Sequence, residues 1–189
     1  DNYTKEEYNH GVSLYNEQNY AEALEYWYKA AEQGNISAQC NIGVCFYEGQ
    51  GVDKDLDEAI KWFQKSATNG DMVAQYSLGM CLEEQGHSGN FLLWYGRAAT
   101  QGYCSAEYKL GIIYYTDKHP NLAAAAEWFL KAAEHGHVAA QNNIAYLLEN
   151  GEGVDKNEAE AVKWYRKAAE QGDENAREGL NELLARMNN

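Results

Sequence analysis

The sequence has little of what several classes of protein require. It contains one proline, Pro120, and no run of 18 apolar residues, so a membrane-spanning helix is not expected. Lys and Arg number 15 against 29 Asp and Glu, which gives a net charge of −14. Because nucleic-acid binding generally requires a basic face, neither nucleic acid nor an anionic membrane surface is an expected partner. A protein or peptide of basic character would be attracted to this charge, which also favours solubility.

The chain lacks a metal-binding or redox motif of cysteines, although it contains four of them. Cys40 and Cys45 lie five positions apart on a predicted helix, so their side chains point in different directions, and no Cys-x-x-Cys occurs. We therefore expect small buried side chains with free thiols, which favours a reducing, cytoplasmic compartment. The sequence begins at Asp1 and not at a methionine. If a signal peptide preceded this residue and was removed, the protein would instead be periplasmic or secreted.

The sequence does contain an internal repeat. A six-residue string occurs five times, as KAAEQG, KSATNG, RAATQG, KAAEHG and KAAEQG, and a pair of aromatic residues such as Trp62-Phe63 precedes each copy. The final glycines of the strings are Gly34, Gly70, Gly102, Gly136 and Gly172, with spacings of 36, 32, 34 and 36. A period in this range is typical of helical-repeat proteins.

The residue pattern of each repeat predicts two helices. In the first helix an Ala, a large apolar residue and a Gly follow at i, i+4 and i+5, as in Ala38, Ile42 and Gly43, which marks one helix face. The second helix carries the aromatic pair and ends at the glycine of the string, which can adopt the left-handed C′ conformation. The segments 55–58 and 157–160 resemble capping boxes that begin second helices.

These motifs together resemble the Sel1-like repeat, a relative of the tetratricopeptide repeat. The resemblance implies an all-α fold: a right-handed α-α superhelical solenoid of about five helix-turn-helix repeats plus a C-terminal capping helix. We expect a single domain over residues 1–189, and the third repeat departs most because its loop at 86–89 lacks Gly-x-Gly-Val. The expected repeats are 1–35, 36–71, 72–103, 104–137 and 138–173, followed by the capping helix at 174–189.

The resemblance implies a protein–protein interaction scaffold or adaptor, and not an enzyme. One alternative is a structural or oligomerising module that uses its loops or convex face. A remote alternative is a hydrolase of the β-lactam-binding Sel1-like type, but the sequence lacks the Ser-x-x-Lys pair that this chemistry would suggest. No cofactor or metal is expected, because His135-x-His137 has no further ligands and the segment 53–64 lacks the Gly and Glu of a calcium loop.

In such a solenoid the first helices line a concave groove, and the face opposite their core positions gives four columns of side chains. The first two columns are Asn9, Asn41, Ser77, Lys109, Asn143 and Val12, Val44, Met80, Ile112, Tyr146. The other two are Tyr8, Cys40, Tyr76, Tyr108, Asn142 and Asn16, Glu48, Glu84, Thr116, Asn150.

The columns predict a groove that binds a polypeptide. Asn can bond a peptide backbone because it both donates and accepts, and Tyr and Met are enriched at interfaces. The alternative interpretation is that the apolar column packs only against neighbouring first helices. The residues expected to contact the partner are Tyr8, Asn9, Val12, Asn41, Val44, Glu48, Tyr76, Ser77, Met80, Tyr108, Lys109, Ile112, Asn142, Asn143 and Tyr146.

Overall fold

In the computed structural model, residues 2–86 and 90–188 are described, and they form eleven α-helices joined by short turns. No strand occurs in these two ranges, so the all-α prediction is confirmed. None of the helices in the described ranges is long and apolar enough to cross a membrane. Most of the divergent loop of the third repeat, residues 87–89, lies outside the described residues.

The backbone forms two compact units, Asp1–Ala98 and Ala99–Asn189, and the single-domain organisation stays a prediction. The first unit contains α1 (Asn2–Asn16), α2 (Tyr20–Glu32), α3 (Ile36–Glu48), α4 (Leu56–Thr68), α5 (Met72–Glu84) and most of α6 (Asn90–Thr100). The second contains α7 (Cys104–Thr116), α8 (Leu122–Glu134), α9 (Val138–Asn150), α10 (Glu158–Glu170) and α11 (Glu174–Met187). From α1 to α5, and again from α7 to α11, each helix packs against the next.

A two-residue junction ends each second helix and begins the next first helix. Gly34 has a φ of 85°, which confirms the predicted left-handed conformation. The N–H groups of Gly34 and Asn35 donate to the carbonyls of Ala31 and Ala30, both at 3.0 Å, and close a Schellman motif. Asn35 Oδ1 then accepts from the Ala38 N–H at 2.8 Å, so the same residue caps the next helix. The same arrangement recurs at Asp71, His137 and Asp173.

Only half of each predicted capping box forms. Asp55 Oδ1 accepts from the Glu58 N–H at 3.0 Å, and α4 begins directly after Asp55, as expected. The Asp55 N–H donates to the Phe46 carbonyl at 2.9 Å and is therefore not available to the Glu58 side chain. Asn157 behaves in the same way, with its N–H donating to the Leu148 carbonyl at 2.8 Å. The loop is thus bonded to the preceding first helix.

Aromatic rings of the second helices fill the core beside glycines of the first helices. Phe129 is 1% exposed, and a Cβ built on Gly111 would lie only 2.5 Å from its Cδ1. The same relation joins Phe63 to Gly43, at 2.7 Å. The sequence pattern predicts that these small residues serve the close approach of neighbouring helices. In the structure, the space beside each of these glycines is filled by the aromatic ring of the second helix in the same repeat.

Candidate functional site

In the first unit, four of the predicted groove residues surround one small cavity. Its volume is about 230 Å³, and it is lined by Tyr8, Val12, Tyr15, Trp27, Asn41 and Val44. Val12 and Val44 also pack against core clusters and are half buried. The apolar column therefore both packs internally and remains partly accessible.

The other predicted residues of the first unit are dispersed. Asn9 and Glu48 are exposed, and Ser77 and Met80 are half buried. The ring of Tyr76 lies 5.5 Å from the ring of Tyr95, centroid to centroid. Cys40, which the third column placed on the surface, is only 4% exposed because it belongs to the core cluster that contains Phe63.

A larger cavity lies in the second unit among α7, α9 and α11, and we call it the C-terminal cavity. Its volume is about 720 Å³, which is in the range of binding sites for ligands. Four predicted groove residues line it, namely Ile112, Asn142, Asn143 and Tyr146. Its further polar and charged wall residues include Thr116, Glu149, Asn150, Asn175, Glu178 and Glu182.

Two predicted groove residues of the second unit do not line this cavity. Tyr108 stacks on the imidazole of His137, with ring centroids 4.2 Å apart, and lies beside Phe129. Lys109 is half buried on the same helix. The ring of Tyr108 thus stabilises the beginning of α9.

Glu149 is held in the cavity wall by two donors. The Tyr165 hydroxyl donates to its Oε2 at 2.7 Å, and Arg186 donates to its Oε1. The Glu149 side chain is 13% exposed. Burial, followed by the bond to Glu149, raises the pKa of Tyr165, so the hydroxyl remains a donor to this carboxylate.

Sequence reasoning missed Glu149, although the repeats contain a signal for it. A matching pair, Glu83 and Tyr95, bonds at 2.7 Å in the first unit. In both pairs the second-helix ring is Tyr and the facing first-helix residue is Glu. Where the ring is Trp or Phe, the corresponding first-helix residues are Tyr15, Tyr47 and Tyr115.

The pattern of α11 predicts only a capping helix, yet this helix contributes two carboxylates to the cavity. Glu178 and Glu182 lie 36 positions after Asn142 and Tyr146, so they continue two of the predicted columns. Extension of the repeat register into α11 would have revealed them.

The C-terminal cavity carries one sign of charge. Its lining includes three carboxylates and no Lys or Arg. Within the described residues, the side-chain amides of Asn142, Asn143 and Asn175 make no hydrogen bond to other protein groups, and Glu178 and Glu182 form no ion pair. Beside these groups Tyr146 is 45% exposed. The cavity therefore offers amides, carboxylates and an aromatic surface.

Two kinds of reactive group, metal ligands and thiols, can be compared across the described structure. Across residues 2–86 and 90–188, no three His, Cys, Asp or Glu side chains are placed to hold a metal ion. All four thiols are free. Burial raises the pKa values of Cys40, Cys45 and Cys81 to about 12, 11 and 12, which makes these thiols poor nucleophiles.

Helix pairs of repeated design, each stacked on the next within its unit, define a helical-repeat protein. The family model of the Sel1 repeat matches residues 7–35, 36–71, 73–88, 92–103, 104–137 and 138–173. The chain belongs to the Sel1 repeat family.

Solved structures support this assignment. A protective antigen of uropathogenic Escherichia coli with an SLR fold is 32% identical, with a TM-score of 0.90 over 98% of this chain. A Sel1 repeat protein of Oxalobacter formigenes is 34% identical, with a TM-score of 0.80; the match covers 92% of this chain and 74% of that one. Helicobacter pylori cysteine rich protein B is 26% identical, with a TM-score of 0.51, covering 65% and 92% of the two chains.

These likenesses confirm the predicted fold class, a solenoid of Sel1-like helix pairs. The chain spans 42% of the length of the Escherichia coli antigen. No protein of curated function matches the sequence.

Proposed function

We propose that this protein is an adaptor that binds a polypeptide through the first helices of its repeats, with the C-terminal cavity as the main contact. The observation that carries the proposal is the composition of that cavity. The side-chain amides of Asn142, Asn143 and Asn175, which have no protein partners, lie beside an accessible apolar surface. A peptide backbone satisfies such amides in both directions, because Asn donates and accepts.

The apolar part of the cavity supplies the other half of a binding site. Ile112 and Tyr146 come from two different first helices, and Tyr146 is exposed although it is aromatic. Tyrosine contributes a large contact area at an interface and loses little conformational entropy on binding. Burial of this ring under a partner would therefore favour association.

Binding without catalysis is the role that fits both the family and the chemistry. Sel1 repeats generally serve as interaction scaffolds. The buried thiols have raised pKa values, and the C-terminal cavity is lined by no His, Cys or Ser. Its lining therefore contains no Ser–His or Cys–His pair of the kind that acyl transfer commonly uses.

The test is affinity capture from the source organism with three baits. The first is the wild-type protein, and the second carries Asn142→Ala, Asn143→Ala and Tyr146→Ala. The third is a matched control with Arg166→Ala and Glu170→Ala, two exposed residues of α10. Far-UV circular dichroism must show equal helicity for all three.

We expect a protein that the wild type and the control retain and the cavity variant loses. Equal retention by all three baits would refute the cavity as the contact and would favour the structural module that uses loops or the convex face.

A further inference from the structure

We infer that the segment bound in the C-terminal cavity is basic: a short stretch of a partner polypeptide with an arginine or lysine next to an apolar residue. This inference rests on the proposed function, because it specifies the partner of the same cavity.

The charge of the wall is one-sided. Glu149, Glu178 and Glu182 line the cavity, and no Lys or Arg does. Complementary charge accelerates association and excludes partners of the same sign. In a protein of net charge −14, an acidic segment would be repelled both by the cavity and by the whole molecule.

The ion pairs of α11 leave two of these carboxylates without a counter-charge. Arg186 lies four positions after Glu182, the usual spacing for an ion pair on a helix. Arg186 instead donates to Glu149 on α9. Glu178 and Glu182 are also four positions apart, so two like charges repel each other on one helix face. A cation from a partner would relieve this repulsion.

The chain itself shows that a guanidinium fits this wall. Arg186 binds one oxygen of Glu149 while the Tyr165 hydroxyl binds the other. With both Glu149 oxygens occupied, Glu178 and Glu182 are the carboxylates open to a partner, and both are exposed. An incoming cation is therefore assigned to these two residues.

The exposed ring explains why an apolar neighbour is expected. Tyr146 lines the same cavity and is 45% exposed. The aliphatic stem of Lys or Arg packs on apolar surface while its charge stays near carboxylates and water. A cation can also lie over an aromatic ring, as Lys167 Nζ does on a second helix, 4.5 Å from the centroid of the Trp164 ring. An apolar residue beside the cation would cover the remaining surface at Ile112.

The test uses a displayed library of random twelve-residue peptides, selected on the wild-type protein. Enriched peptides are synthesised with a fluorophore, and their affinities are measured by anisotropy at low and high salt. The carboxylate variant is Glu178→Gln with Glu182→Gln. A charge-matched control carries Glu134→Gln and Glu170→Gln, which are exposed on second helices. A third variant removes the exposed ring and the amide beside it through Asn143→Ala with Tyr146→Ala, and we call it the apolar variant.

We expect enriched peptides to contain Lys or Arg beside an apolar residue and to bind more weakly at high salt. An exposed ion pair changes affinity about two- to five-fold, so the carboxylate variant should lose roughly four- to 25-fold. The control should lose less than about twofold, because its carboxylates are outside the cavity.

Four results would overturn the inference. Enriched peptides without Lys or Arg, lost only by the apolar variant, would refute the basic partner and leave the proposed function standing. Basic peptides weakened equally by the carboxylate variant and the control would show attraction to net charge and not to the cavity. Two further outcomes would refute the basic partner and the proposed cavity together. In the first, peptides bind with the same affinity to the wild type and to both cavity variants. In the second, the wild type binds no peptide more tightly than the apolar variant does.

Discussion

Replacement of Gly111 by alanine should destabilise the protein, although alanine is the better helix former. The added Cβ would lie 2.5 Å from Phe129 Cδ1 and 2.6 Å from Cε1, whereas ordinary contacts begin near 3.4 Å. Phe129 is 1% exposed and packs within the core cluster of the second unit, so its ring must shift against its neighbours to admit the new atom. Overpacking of a core costs about 1–3 kcal/mol, and the gain in helix propensity offsets about 0.5–1 kcal/mol. We expect a net loss of up to about 2.5 kcal/mol, centred near 1 kcal/mol.

Gly96 provides the matched control, because it also lies inside a helix. A Cβ at Gly96 meets no described atom within 4 Å. Gly96→Ala should therefore stabilise the protein by about 0.5–1 kcal/mol, the opposite sign. Urea unfolding followed by far-UV circular dichroism measures both changes as shifts of the midpoint at constant slope.

The reasoning about the ring has a second-site test. Phe129→Leu removes the atoms that the new Cβ would strike, so the double variant should lose less stability than the sum of the two single changes. A Gly111→Ala protein as stable as the wild type would show that α7 and α8 can separate at low cost, and would refute the role assigned to the ring.

Three further experiments test other parts of the structure. Tyr165→Phe should lower the free energy of unfolding by about 1–2 kcal/mol, because Glu149 loses a buried hydroxyl donor; an unchanged urea midpoint would contradict this. Burial lowers the pKa of His137 below its ordinary 6.5, and its Nδ1 accepts from the Ala140 N–H only when deprotonated. The unfolded chain therefore binds the proton more readily, so this stability is complete above pH 6.5 and is lost as the pH falls through the folded-state pKa. His137→Asn, which caps as Asn35 does, should remove that part of the pH dependence of the urea midpoint; an unchanged dependence would contradict the cap. Cys104, the half-exposed thiol, should react with maleimide in the native protein, as mass spectrometry would show, and the remaining three thiols only in urea; early labelling of a buried thiol would contradict this.

Much of the fold could be predicted because it is encoded locally. Gly34 and its equivalents end helices through their own backbone conformation, and the residue that follows, such as Asn35 or Asp173, caps the next helix. These contacts join residues at most five positions apart, so they are readable in sequence. The reciprocal half of the capping box was wrong for the converse reason, because the Asp55 N–H bonds to Phe46, nine residues earlier across a loop.

The predicted groove residues show the same division. The helical period places Asn142, Asn143 and Tyr146 near one face of α9, and all three line the C-terminal cavity. Whether a residue on that face stays accessible depends on its neighbours in other helices. Tyr108 shares a column with Asn142, yet its ring is taken up by stacking on His137. That difference arises from packing between helices.

The sequence by itself determined the family, the helix pairs and the turns between them, because the residues that make these local contacts recur in each repeat. Only the tertiary structure decided which carboxylates lie together in the C-terminal cavity. It brought Glu178 and Glu182 of α11 beside α9 and directed Arg186 to Glu149, away from its helical neighbour Glu182. Such choices depend on which side chains meet across helices, since an ion pair forms with the partner that packing brings within reach and not with the nearest one in sequence.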